Sequence, residues 1–157
     1  KYMKTLFETR KVDKEYIAIV HGNFDKKSGR IENYMDRDIN NRRKMAVRSS
    51  GRIAISEYEV IKEVEGYSLV KIHIITGRTH QIRVHMNYIH HPILGDKLYG
   101  LKKEKILFDS QVLHAYNLQF IHPQTHENIN VIGDLKQDFI TAIKKTNLDY
   151  TKIPSKL

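Results

Sequence analysis

The sequence predicts an α+β domain: an antiparallel or mixed β-sheet flanked by helices. Three observations carry that expectation. Short runs rich in β-branched and aromatic residues recur at 16–20, 53–60, 67–75, 113–121 and 127–132, each closed by turn residues. From His80 the period changes, with Ile82, Met86 and Ile89 at i, i+4 and i+7 of a helix. The order is mostly strand hairpins with few helices between them. A chain of 157 residues makes one domain and can bury a core without disulfides or metals.

In chain order, residues 2–10 predict a short amphipathic helix with Met3, Leu6 and Phe7 on one side. Tyr16 to Val20 is a compact apolar run closed by Gly22, the pattern of a buried strand. Residues 22–51 are polar and turn-rich. They predict a hairpin loop around Asn23–Gly29 and an exposed basic segment from Asp38 to Ser50. Ile53–Val60 and Tyr67–Ile75 predict two strands joined by a turn at Glu65-Gly66. Gly77-Arg78-Thr79 breaks the strand pattern, and a helix follows to about His90, with Thr79 as its N-cap. Pro92 ends that helix and Gly95 turns the chain. Leu113–Ile121 and Glu127–Ile132 predict strands and Asp138–Lys145 a terminal helix, with a frayed basic tail after Tyr150.

Composition removes several classes of function. The absence of cysteine excludes disulfides, thiolate zinc sites, iron–sulfur clusters and thiol catalysis, and fits the reducing cytoplasm. No run approaches the length of a membrane-spanning helix. His80, His85, His90 and His91 cluster in sequence, but His80 and His85 are splayed by about 140° on a helix. No carboxylate nearby completes a ligand set, so no metal site is expected. Neither a nucleophile elbow nor a phosphate loop or dinucleotide fingerprint occurs. A formal charge of +9 points to a polyanionic partner or to a merely solvated basic surface.

Particular residues narrow this. Arg42, Arg43, Lys44, Arg48 and Arg52 lie close together with no acid among them and with Ser49, Ser50 and Gly51 between, as suits phosphate contacts from a flexible loop. On the helix after Gly77, His80, Arg83 and Asn87 share a polar face opposite the apolar set. Arg83 is thereby held on a rigid support, its guanidinium free for a carboxylate or phosphate, or spent in a structural ion pair. Tyr16 sits inside an apolar strand, where its ring either packs or offers a platform for a base.

These residues resemble a known family, the RluA-type pseudouridine synthases, which isomerise chosen uridines in RNA. Lys14-Glu15-Tyr16-Ile17-Ala18-Ile19-Val20-His21-Gly22 looks like the family's tyrosine strand, and Asn41 to Val47 like its basic insert. Thr76-Gly77-Arg78-Thr79-His80-Gln81-Ile82-Arg83-Val84-His85-Met86 is close to the signature around its essential arginine. His91 to Asp96 with Tyr99-Gly100 follows, then Leu113-His114-Ala115 and His122 to Thr125, so the likeness covers roughly residues 1–140.

The resemblance implies a pseudouridine synthase-like sheet, no cofactor, no metal and no membrane. RNA is the implied partner, ribosomal RNA first and transfer RNA second. It implies Tyr16 and Arg83 as catalytic residues: Arg83 as the cationic partner that keeps an aspartate ionised, Tyr16 stacking on the flipped uracil or helping remove its C5 proton. Arg78 and His80 would lie beside the site, and Arg42, Arg43, Lys44 and Arg48 would grip the RNA backbone.

Two departures stand out. Asp134 and Lys136 stand where the family usually has prolines. The family's catalytic aspartate lies in an H-R-L-D-x-x-T-S-G motif before the tyrosine strand, which this chain does not contain; Met35-Asp36-Arg37-Asp38 echoes it only superficially. The chain also opens on Lys1 and runs at once into polar, helix-like sequence. The expectation is that residues 1–157 are the C-terminal portion of one synthase catalytic domain, inactive alone. The alternative is a non-catalytic RNA-binding module with the synthase fold.

Overall fold

The computed structural model describes residues 12–148; the helix expected at 2–10 and the tail after Tyr150 lie outside them. Among the described residues, seven strands form one antiparallel sheet: β1 (Val12–His21), β2 (Ser28–Arg37), β3 (Met45–Arg48), β4 (Arg52–Val64), β5 (Tyr67–Ile74), β6 (Leu113–Ile121) and β7 (Asn128–Ile132). Their spatial order is β3-β2-β4-β5-β1-β6-β7. Helix α1 (Gln81–Tyr88) covers one face and α2 (Gln137–Lys145) the other.

β1 lies between β5 and β6, and Ile17, Ala18, Ile19 and Val20 are wholly buried. An unbroken apolar run suits such a strand, because both of its faces are covered. Ala18 and Val20 pack with Val70, Ile72, Ile82, Met86 and Ile93 on the α1 side. Ile17 and Ile19 pack with Leu69, Leu94, Phe139, Ala142 and Ile143 on the α2 side. Alternate residues of one strand therefore feed two cores, and each helix lays one apolar stripe on the sheet.

The segment read as polar and turn-rich holds two strands. In β2 the inward positions are Gly29, Ile31, Asn33 and Met35, so only alternate inward residues are apolar and the period-2 signal is halved. The basic segment is an ordered turn leading into the edge strand β3, not a flexible loop. The Asp38 carboxylate accepts the N–H groups of Asn40 and Asn41, and β3 pairs with β2 from Tyr34↔Arg48 to Arg37↔Met45.

The Glu65-Gly66 turn and the Gly95 turn occur as expected, both glycines having positive φ (84° and 77°). They differ in surroundings. A Cβ at Gly95 would lie 2.5 Å from the Ser110 carbonyl oxygen, whereas one at Gly66 would meet nothing within 4 Å. Left-handed backbone alone costs a non-glycine residue about 1–2 kcal/mol, and a core clash adds about 1–3 kcal/mol. Gly95→Ala is expected to lose about 3 kcal/mol in urea unfolding and Gly66→Ala about 1 kcal/mol. Equal losses would show that the Ser110 contact does not matter.

Candidate active site

The strand–turn–helix from β5 into α1 builds the site. The helix does not begin as expected, because Thr79 is not its cap: His80 is, in left-handed conformation (φ 56°) and without a side-chain capping bond. Gln81, the first helical residue, anchors this turn through its side chain. Its Oε1 accepts the Arg78 N–H (3.0 Å) and the Thr76 hydroxyl (2.7 Å), while its Nε2 donates to the Ile55 carbonyl (2.8 Å) and to Ser56 Oγ (2.9 Å). These bonds tie the turn before the helix to β4; none of them goes to a first-turn N–H of α1, which has no side-chain cap.

The same network continues to His85, which is fully buried. Asn33 Oδ1 can only accept, so His85 Nε2–H donates to it (3.0 Å) and Nδ1 accepts the Ser56 hydroxyl (2.8 Å). Acceptance at Nδ1 requires neutral imidazole, and burial pushes the His85 pKa down to about 4.

Arg83 projects from the polar face of α1, as its spacing predicts, but its guanidinium is not free. Nε donates to Asp96 Oδ2 and Nη2 to Asp96 Oδ1, both at 2.8 Å. Asp96 is 1% exposed and also accepts the N–H groups of Leu98 and Tyr99, each at 3.0 Å. Burial alone would raise the Asp96 pKa, but the Arg83 pair and these N–H groups outweigh it and hold the carboxyl below the ordinary range. Asp96 in turn pushes the Arg83 pKa up, so the arginine stays charged. This side-on pairing fixes the guanidinium plane and leaves its end-on edge, Nη1 and the second Nη2 hydrogen, for another acceptor. The guanidinium carbon stands 5.1 Å from the centre of the Tyr99 ring, a cation–π contact.

Arg83, His80 and Arg43 are brought together around one open cavity of about 380 Å³, lined also by Lys97, Leu98, Asp109, Ser110 and Gln111. His80 Nδ1 lies 2.8 Å from the Tyr99 hydroxyl, which also accepts the Met45 N–H at 2.8 Å and so ties β3 to the site. Burial first, and then Arg83, hold the His80 pKa below its usual value, so its ring is not a cation at neutral pH. Lys44 lies in an adjoining groove with Lys97, Lys102 and the exposed Tyr88. Arg42 is exposed, with its carbonyl accepting from Arg37 Nη1, and Arg48 Nη1 donates to the Arg37 carbonyl. Arg78 is half-buried, with Nε donating to the Ile53 carbonyl at 2.8 Å.

Tyr16 does not line that cavity. It packs at the rim of the α1-side core with Leu113 and Ile74, and burial raises the pKa of its hydroxyl. The β1–β6 register shifts between Glu15 and Tyr16, their partners being Asn117 and Ala115, so Tyr116 is the extra residue of a β-bulge. Such bulges re-aim side chains and recur beside active sites. Asp96, Tyr99, Gln81 and His85 carry the site's geometry, yet spacing alone gives them no role. Their only signal is membership of the motifs at 76–86 and 95–100.

Known proteins resemble this chain along most of its length. A family model described as RNA pseudouridylate synthase matches residues 1–88, more than half of the chain. "Ribosomal large subunit pseudouridine synthase D" of Blochmanniella floridana is 40% identical over 151 residues, covering 87% of this chain and 47% of that protein. The protein of the same name from Borreliella burgdorferi is 41% identical over 120 residues, covering 76% of this chain and 37% of its own length. The chain thus spans about half the length, or less, of these relatives. The structure of human RNA Pseudouridylate Synthase Domain Containing 1 superposes with a TM-score of 0.74 at 23% identity, covering 93% of this chain and 70% of that one, which shows the fold. The chain belongs to the RNA pseudouridylate synthase family, in its RluA/RluD-like branch.

Proposed function

We propose that residues 1–157 are the C-terminal portion of the catalytic domain of an RNA pseudouridine synthase, acting on ribosomal RNA in the cytoplasm. One observation above all supports this reading. Arg83 is a permanently charged guanidinium, locked side-on by a buried carboxylate, with a second bidentate edge left over beside an open cavity.

The reaction breaks the N1–C1′ bond of a uridine, turns the uracil and forms a C5–C1′ bond; the C5 proton leaves and N1 gains one. The family's aspartate acts as nucleophile or base. In a partly desolvated pocket it stays ionised only beside a cation, which is the role of the Arg83 end-on edge. Tyr16 stacks on the flipped uracil or assists loss of the C5 proton; burial raises its pKa, which disfavours the phenolate a base needs and favours the stacking role. Arg42, Arg43, Lys44 and Arg48, on and before the edge strand, hold RNA phosphates, with Arg78 and His80 nearer the reacting nucleotide. By itself this chain is expected to bind RNA weakly and to convert none.

The test is conversion of uridine in RNA by the complete protein. Tyr16→Ala is expected to lower it by at least about 10²-fold, the scale of a lost acid–base contribution; unchanged conversion removes Tyr16 from the mechanism. Alanine at any one of Arg42, Arg43, Lys44 or Arg48 is expected to weaken binding evenly across RNA sequences and to reduce the slope of log K against log salt by about 0.7. An unchanged slope removes that residue from the phosphate contacts.

A further inference from the structure

We propose that Tyr99 locks His80 as a neutral hydrogen-bond donor, with Nε2–H presented to an oxygen of the RNA beside Arg83. The argument starts from the proton count at Tyr99, which is buried. Its oxygen accepts the backbone N–H of Met45 at 2.8 Å and stands 2.8 Å from His80 Nδ1. A phenol has one proton to give, and the arrangement that uses it sends the O–H to Nδ1. The ring proton then sits on Nε2, the nitrogen that bonds to no described residue, on a side chain that lines the Arg83 cavity.

The charges around the ring agree. Arg83, Arg37, Arg43 and Lys97 surround it with positive charge, against Asp109 and an Asp96 already bound to Arg83, and the net effect with burial favours the neutral ring. His80 also adopts a left-handed backbone, a conformation that costs a non-glycine residue energy and that places the ring between Tyr99 and the cavity. A donor without charge suits this position: it orients an oxygen acceptor without competing with Arg83 for the catalytic carboxylate.

The acceptor is a phosphate or a uracil carbonyl oxygen, and this part rests on the RNA substrate proposed above. Nitrogen-15 NMR of the histidine rings tests the proposal in this chain. The expected result is a pyrrole-like Nε2 and a pyridine-like Nδ1 at pH 7, with a titration midpoint below the ordinary value near 6.5. Tyr99→Phe should mix the tautomers and raise the midpoint. A ring protonated on Nδ1, or on both nitrogens, at pH 7 overturns the proposal. Titration with inorganic phosphate, uridine and uridine 5′-monophosphate then distinguishes the acceptors. A shift of Nε2–H with phosphate and the monophosphate assigns phosphate; a shift with uridine and the monophosphate assigns the carbonyl; no shift with any of them overturns the RNA contact. A protein that converts uridine with His80 protonated on Nδ1 keeps the synthase reading and loses this one. A locked donor in a protein that converts none does the reverse.

Discussion

Arg83→Ala is expected to abolish uridine conversion by the complete protein and to destabilise the fold at the same time. Both effects follow from one geometry. On the proposed mechanism the end-on edge of the guanidinium keeps the catalytic aspartate ionised, and losing such a charged donor is expected to cost about 10³-fold in rate. The side-on edge neutralises Asp96, a carboxylate 1% exposed, and removing one partner of a buried pair leaves an uncompensated charge worth roughly 3 kcal/mol. Arg83→Lys does not substitute, because a point charge cannot hold two carboxylate oxygens and offer a second fork. The double variant R83M/D96N separates the two effects: stability in urea recovers, and conversion does not. Recovery of both would show that Arg83 acts only through folding.

The second large effect is a loss of stability in mild acid. His85 has a folded pKa of about 4 against an ordinary 6.5. The unfolded chain therefore binds a proton that the folded chain refuses, and stability rises with pH across this interval. It is complete above about 6.5 and falls progressively toward pH 4, by roughly 3 kcal/mol at the lower end. Asp96 adds its own loss only at lower pH, because its folded pKa lies below the ordinary carboxylate value. Urea midpoints measured from pH 7 to 4.5 should fall for the native protein and stay flatter for His85→Gln. Equal slopes in the two proteins would show that His85 does not carry the effect.

The parts of the fold legible in the sequence were those where periodicity and burial coincide. β6 spans Leu113–Ile121 as expected, and β7 and α2 begin within one residue of expectation. β2 was illegible because two of its inward positions serve other needs. Asn33 bonds His85, and Gly29 lets the Tyr58 ring approach where a Cβ would lie 2.7 Å away. Neither adds to an apolar alternation. The site divides in the same way. Helical spacing places Arg83 on a polar face, but its partner Asp96 lies thirteen residues on, in a loop without period. The Thr79 cap fails because the left-handed N-cap falls at His80, beside a Gln81 network to β4 that only tertiary structure provides. The bulge opposite Tyr16 depends on cross-strand register, which no single strand encodes.

The measurement that tests this account most directly uses the complete protein and RNA labelled with tritium at uracil C5. Forming the C5–C1′ bond releases that hydrogen, whereas binding alone does not. The account predicts tritium release by the native protein, with none above background from R83M/D96N although it is folded and still binds RNA. Retention of all the label by a native protein that binds the same RNA tightly would contradict it, and would leave a non-catalytic RNA-binding module with the synthase fold.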